Sequence, residues 1–248
     1  MFPMPDAVIL AGGAGLRLKS VTGETPKPMA RIRTRPFLEL LLLQLKRQGF
    51  LRVILSVGQA QQMIRMYFGD KAFGLDLTYS FESSPLGTGG GLRQAVAHIA
   101  TNAFLAMNGD SYTDVNLDEL VQAHLSGKAD VTMTLVSDTR SDAGSVVMDQ
   151  DGTVTAFAEK RFVQDSSYRS AGIYVLNKAL VEEIPAGVNI SLEQRLFPEW
   201  LASGKRIRAL LSPAACIDIG TPERYRQAQD LLANVESEKY SLQGEGKS

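Results

Sequence analysis

Residues 7–29 read AVILAGGAGLRLKSVTGETPKPM: an apolar run, three glycines, then an arginine and two lysines, the second set inside Pro-Lys-Pro. Four branched or aliphatic residues at 7–10 make a short buried strand. Glycines directly after a strand let backbone N–H groups close around a phosphate. Arg17 and Lys27 follow at once, and Pro26 and Pro28 stiffen the chain around that lysine. A glycine cradle with two fixed cations suits several phosphates better than one. Two familiar loops fail the test. A P-loop needs glycine before Lys-Ser, and Lys19-Ser20 is preceded by Leu18; a dinucleotide fingerprint starting at Gly13-Ala-Gly15 also meets Leu18, where its third glycine belongs. A bare glycine turn between strand and helix remains, but it leaves the two cations unexplained.

Around this stretch the chain has 248 residues, enough for one large α/β domain or two small ones, and 44% hydrophobic residues to build a core. The formal net charge of -1 offers no basic field for nucleic acid or a membrane surface. The single cysteine, Cys216, cannot form an internal disulfide and reads as a buried structural thiol in Ala-Ala-Cys-Ile. No basic-then-apolar leader is visible at the N-terminus, and the leucine run at 40–43 is far too short to span a bilayer. The expectation is a cytoplasmic protein.

Strand and helix patterns alternate through the first half: strands at 7–10, 53–57, 75–81 and 103–107, helices at 37–48, 59–68, 91–100 and 117–126. That alternation predicts an α/β fold whose mixed, mostly parallel central sheet is flanked by helices. A strand at 131–136 follows, and then the grammar changes. Segments 145–148 and 153–158 flank Asp151-Gly152, a hairpin pair. Further strands are expected at 173–176 and 207–211. Ser191-Leu-Glu-Gln194 opens a helix as a capping box, and Pro222 starts a last one over 222–235. No repeat or long linker divides the chain, so one domain is expected over 1–235. Its nucleotide-binding half covers about 1–115 and its hairpin-bearing half 116–235, with a polar tail at 236–248.

Leu10-Ala-Gly-Gly-Ala-Gly-Leu-Arg-Leu18 followed by Thr25-Pro-Lys-Pro-Met29 resembles the signature of sugar-1-phosphate nucleotidyltransferases. The resemblance runs from Ala7 to about Ala228, with later motifs in the expected order. It implies a Rossmann-like nucleotidyltransferase fold and transfer of a nucleotidyl group from a nucleoside triphosphate to a sugar 1-phosphate, with pyrophosphate released. Such an in-line displacement needs no general base, because the sugar phosphate oxygen is already a nucleophile. It needs cations, amides and a carboxylate-bound Mg²⁺. His98 and His124, in helical patterns without acid or cysteine partners, have no place in it.

By this resemblance the amides of Ala11, Gly12, Gly13 and Gly15 hold the triphosphate, Leu10 also binds the nucleotide, and Arg17 takes the β- and γ-phosphates. Lys27 bridges the α-phosphate and the incoming phosphate. Pro85, Gly87 and Thr88 in SSPLGTGGG hold base and ribose, aided by Gln59 and by Asn108-Gly109. Asp110 and the distant Asp218 are the Mg²⁺ ligands, two hard carboxylates completed by phosphate oxygens and water. Gly144, Glu159, Lys160 and Gly172 take the sugar phosphate. One departure stands out: members of the family often carry asparagine before the Gly-Ile-Tyr, and this chain has Ser170-Ala171.

Within the family the resemblance is strongest to the D-glycero-α-D-manno-heptose 1-phosphate guanylyltransferases, which implies GTP as donor and a product used in bacterial surface glycans. Mannose 1-phosphate guanylyltransferases and thymidylyl-, cytidylyl- or uridylyltransferases for other sugars share most of these residues. A non-catalytic nucleotide-sugar sensor is the reading from another class, and the presence of Arg17, Lys27, Asp110 and Asp218 argues against it.

Overall fold

In the computed structural model, which describes residues 3–13, 15–137, 145–158 and 168–233, the opening apolar run is the strand β1 (Ala7–Ala11). It lies in the middle of a ten-stranded sheet. Ala7, Ile9 and Ala11 enter one core and Val8 the other, so the strand is buried on both faces. A strand covered on both sides has no solvent face to mark with polar residues, which is why the run is continuous.

After β1 come α1 (Lys19–Thr22), the two-residue strands β2 (Arg31–Ile32) and β3 (Arg35–Pro36), and α2 (Phe37–Arg47). Then follow β4 (Arg52–Val57), α3 (Gln61–Phe68), β5 (Lys71–Ala72), β6 (Leu75–Phe81) and α4 (Gly87–Ala95). β7 (Ala103–Asn108), β8 (Ser111–Thr113) and α5 (Leu117–Gly127) complete the first half. β7, β1, β4 and β6 lie side by side and all parallel. The helices between them therefore cross the faces of the sheet, as parallel strands require.

The second half extends the same sheet. It comprises β9 (Val131–Ser137), β10 (Ser145–Met148), β11 (Val154–Ala158) and β12 (Tyr168–Asn177), then α6 (Lys178–Glu182), α7 (Phe197–Ala202), β13 (Ile207–Ser212), β14 (Cys216–Asp218) and α8 (Pro222–Leu231). β12 runs antiparallel to β7 and pairs β9 and β10 as well, so it stitches the halves together. β10 and β11 form the hairpin around Asp151-Gly152. Along β12 the register to β9 slips: Ser170 faces Leu135, and the next paired residue, Tyr174, faces Met133. The extra residues form a bulge around Gly172, whose φ of 73° favours glycine.

Two cores cover the sheet. One takes side chains from α2, α3, α5 and α8, the other from α4, α6 and α7.

Two expectations need correction. The helix expected at 91–100 starts at Gly87 and ends at Ala95, with a 3-10 turn after it. Its glycines lie under another segment: a methyl on Gly89 or Gly90 would strike Leu196 or the Val188 carbonyl. Close backbone approach outweighs the poor intrinsic helix propensity of glycine here. The strand before Asp218 is β14, which joins β8 in a separate two-stranded ribbon and not the main sheet. Cys216 is half-buried, and its thiol points at the Ala171 carbonyl.

Candidate active site

The C-terminal end of β1 opens onto two adjoining clefts of about 460 and about 310 Å³, which share Ala11, Gly12, Gly13, Glu82 and Pro85 in their walls. The carboxyl ends of parallel strands are where open α/β sheets bind ligands. Gly15 and Gln59 line the larger cleft. Leu10, Lys27, Gly87, Thr88, Asn108, Gly109 and Asp110 line the smaller. The glycine loop closes locally through the Leu18 N–H, which donates to the Gly15 carbonyl at 2.9 Å. Lys27 sits at the start of a 3-10 turn that Pro26 and Pro28 enforce.

Charge converges at the rim of the smaller cleft. Lys27 pairs with Asp110, its ammonium largely buried with 12% of the side chain exposed. β8 and β14 carry Asp110 and Asp218 together: Ser111 faces Asp218 in the ribbon, and the Ile219 N–H donates to the Asp110 carbonyl at 3.0 Å. Asp218 accepts from the Gly220 N–H at 3.0 Å and from the Arg224 guanidinium at 3.3 Å. A methyl placed on Gly220 would lie 3.0 Å from Asp218 Oδ1, 3.7 Å from Lys27 Nζ and 4.0 Å from Arg17 Nη2. Two carboxylates and three cations therefore gather around one point, although Asp110 and Asp218 lie more than a hundred positions apart in sequence. Among the described residues no group of three or more His, Cys, Asp or Glu could hold a metal ion. Oxygens beyond those of Asp110 and Asp218 would have to come from phosphate and water, a composition that suits Mg²⁺.

Comparison with known proteins bears on this arrangement. The Nucleotidyl transferase family matches residues 6–235 of the chain. The chain belongs to that family. This nucleotidyltransferase is 38% identical over 227 residues to D-glycero-alpha-D-manno-heptose 1-phosphate guanylyltransferase of Aneurinibacillus thermoaerophilus, covering 92% of this chain and 98% of that protein. It is 36% identical over 235 residues to mannose-1-phosphate guanylyltransferase of Mycobacterium tuberculosis, covering 93% of this chain and 65% of that longer protein. Among solved structures it is similar to HddC from Yersinia pseudotuberculosis complexed with GMP-PN, with a TM-score of 0.80 and 34% identity over 92% of this chain and 100% of that one. No helix among its described residues is long and apolar enough to cross a membrane.

The nucleotidyltransferase brings most of the residues singled out in its sequence to one place. Arg17 and Asp218 stand at the rim and line neither cleft's wall, but both border Gly220. Gly172 packs on Asn108: a methyl on this glycine would come 2.6 Å from the Asn108 amide nitrogen. Asn108 Oδ1 is buried and accepts no hydrogen bond among the described residues. Gly144, Glu159 and Lys160 lie outside the described residues, as does the tail at 236–248.

Glu82 was not singled out in the sequence, yet it stands in the wall common to both clefts and is only 6% exposed. Ser56 donates to one of its oxygens at 2.8 Å and the Leu86 N–H to the other at 3.2 Å. A signal was available: Glu82 is the first residue after β6, at the carboxyl end of a parallel strand.

Proposed function

We propose that this enzyme transfers a guanylyl group from GTP to a sugar 1-phosphate, with D-glycero-α-D-manno-heptose 1-phosphate as acceptor. The observation that carries the guanine reading is Glu82. An ionised carboxylate only accepts hydrogen bonds, and each oxygen can accept more than one. Guanine alone among the common bases presents two adjacent donors, N1–H and the 2-amino group, on its pairing edge. Uracil and thymine offer one N–H between two carbonyls, and adenine and cytosine set a ring acceptor beside the amino group. A buried carboxylate in the cleft wall favours guanine and repels the others. The heptose preference is supported by the relative from Aneurinibacillus thermoaerophilus. Mannose 1-phosphate is the second reading, supported by the Mycobacterium tuberculosis relative.

In the proposed reaction an oxygen of the sugar phosphate attacks the α-phosphorus of GTP. The new P–O bond forms as the bond to the β-phosphate oxygen breaks, and pyrophosphate leaves. Backbone amides of the 11–15 loop hold the triphosphate. Lys27, pointing into the smaller cleft, neutralises the α-phosphate and the incoming phosphate, while Arg17 takes charge on the leaving group. Asp110 and Asp218 would hold Mg²⁺, which when bound supplies Lewis-acid neutralisation of phosphate oxygens. Lys27 and Arg224, now paired with these carboxylates, would then be drawn toward phosphate.

The test is pyrophosphate release from GTP, ATP, UTP, CTP and dTTP, each against heptose, mannose and glucose 1-phosphates. GTP with the heptose phosphate should turn over fastest, and only with a divalent cation. Preference for UTP or dTTP would overturn the guanylyl reading. Nucleotide binding without pyrophosphate from any pair would leave the sensor reading standing.

A further inference from the structure

A run of hydrogen bonds joins the nucleotide side of the cleft to the bulge in β12, and the donors of its two arms converge on one carboxylate, Glu193. It begins at the bulge, where the Gly172 N–H donates to Ser170 Oγ at 3.0 Å. Ser170 donates to the Tyr174 hydroxyl at 2.9 Å, and Tyr174 donates to Glu193 Oε1 at 3.1 Å. The other oxygen of Glu193 accepts from Thr88 Oγ1 at 2.8 Å and from Ser191 Oγ at 3.0 Å. Thr88 in turn accepts the Leu192 N–H at 2.8 Å. Tyr174 is fully buried, and that burial together with the carboxylate beside it raises its pKa well above the ordinary phenol value, so its hydroxyl stays a donor.

Both ends of the run reach the site. Thr88 lines the smaller cleft at the start of α4, and Gly172 packs on Asn108, which lines the same cleft. Each hydroxyl has one proton to give, so removing a middle member reverses or breaks the links on either side of it. Polar networks of this kind rigidify when every member is satisfied and are costly when one is not. Ser170 belongs to the Ser170-Ala171 pair that precedes Gly172. A serine hydroxyl can accept from Gly172 and donate to Tyr174 at once, through a single atom.

We propose that Tyr174, Ser170 and Glu193 are positioning residues that couple the two half-sites, so that filling the sugar-phosphate side tightens the nucleotide side and the reverse. The inference rests on the two-substrate reading above. Coupling of this sort is reciprocal and typically worth about five- to 150-fold in affinity.

The test measures affinity for a non-hydrolysable GTP analogue by calorimetry, with and without saturating sugar 1-phosphate, in the wild-type enzyme and in Tyr174→Phe, Ser170→Ala and Thr88→Val. The sugar phosphate used is whichever one the wild type turns over. The wild type should show at least about fivefold tightening, and each variant should bring the ratio near one. Thr88→Val, altered on the nucleotide side, should also raise KM for the sugar phosphate; Ser170→Ala should raise KM for the nucleotide. A ratio unchanged in Tyr174→Phe and Ser170→Ala would overturn the proposal, as would a wild type without coupling. If Tyr174→Phe fails to fold, the two milder variants decide the outcome. Absence of turnover with any substrate pair would instead strike the two-substrate reading, before any variant is made.

Discussion

A lysine beside a carboxylate is an ordinary surface pair in most proteins, and a pair of that kind contributes little. Lys27 differs because its ammonium is mostly buried at the mouth of a cleft, in a backbone fixed by two prolines. A cation held there without reorganisation is worth most when negative charge develops in front of it. Lys27→Ala and Arg17→Ala should each cost about 3–4 kcal/mol in the transition state, on the order of a hundred- to a thousandfold in kcat. Steady-state rates under saturating substrates check this, and near wild-type turnover in either variant would remove that residue from the mechanism. Glu82 allows a sharper prediction. Glu82→Gln keeps the size and its one oxygen can still accept from the Leu86 N–H, but an NH2 replaces the oxygen that accepts from Ser56, so the side chain now offers a donor where it had only acceptors. GTP preference over UTP should fall by about 1–3 kcal/mol, roughly five- to a hundredfold in the ratio of kcat/KM values. An unchanged ratio would mean that Glu82 does not face the base.

The element that tests packing against propensity is α4, which carries four glycines in its nine residues. Replacing Gly90 with alanine should help the helix intrinsically by about 1 kcal/mol. Yet the added methyl would strike the Val188 carbonyl and lie 3.0 Å from Leu86 Cβ. A backbone oxygen cannot swing aside as a side chain can, and overpacking of this kind costs about 1–3 kcal/mol. The packing term should win, so Gly90→Ala should lower the urea midpoint; a raised midpoint would show that the 188–190 segment yields. The same helix shows what the sequence could and could not reveal. Glycine in a row reads as loop by propensity, so the expected start fell at Gly91, because the residues that cover it lie about a hundred positions on. The strands β1, β4, β6 and β7 were legible because each is a local apolar run, and the hairpin because Asp-Gly marks it. The bulge in β12 and the β8–β14 ribbon were not, since both arise from pairing between distant segments. At the site the cradle and Lys27 were readable as a local motif. Arg224 needed a neighbour that only the fold supplies, whereas Glu82 was marked by its place directly after the β6 strand.

At the scale of the molecule, stability depends on how the second half is sewn to the first, and α5, β9 and β12 meet at one buried imidazole. His124 is 2% exposed, with Nδ1 3.0 Å from Thr132 Oγ1 and Nε2 3.1 Å from Asn177 Oδ1. Asn177 gives its amide protons to the Ala129 carbonyl, so its oxygen is left to accept from Nε2–H, and Nδ1 accepts from the Thr132 hydroxyl. The neutral ring satisfies both partners. Burial lowers its pKa below the ordinary 6.5, against the opposing pull of the Asn177 hydrogen bond and of Asp130. The unfolded chain therefore binds a proton more readily than the folded one. The stability that this neutral histidine contributes is complete above about pH 6.5 and is lost as the pH falls through that value toward the lower folded pKa. One such group can tilt stability by no more than about 1.4 kcal/mol per pH unit. Carboxylates also titrate on acidification, so the informative quantity is a difference between two proteins. Urea unfolding of the wild type and of His124→Gln from pH 5 to 8 should give curves separated by a constant amount above pH 7. The gap should narrow as the pH drops below 6.5, because only the wild type pays to protonate the ring. A gap that stays constant across the whole range would show that His124 titrates alike in the folded and unfolded chains, and that its two hydrogen bonds do not hold the junction in the neutral form.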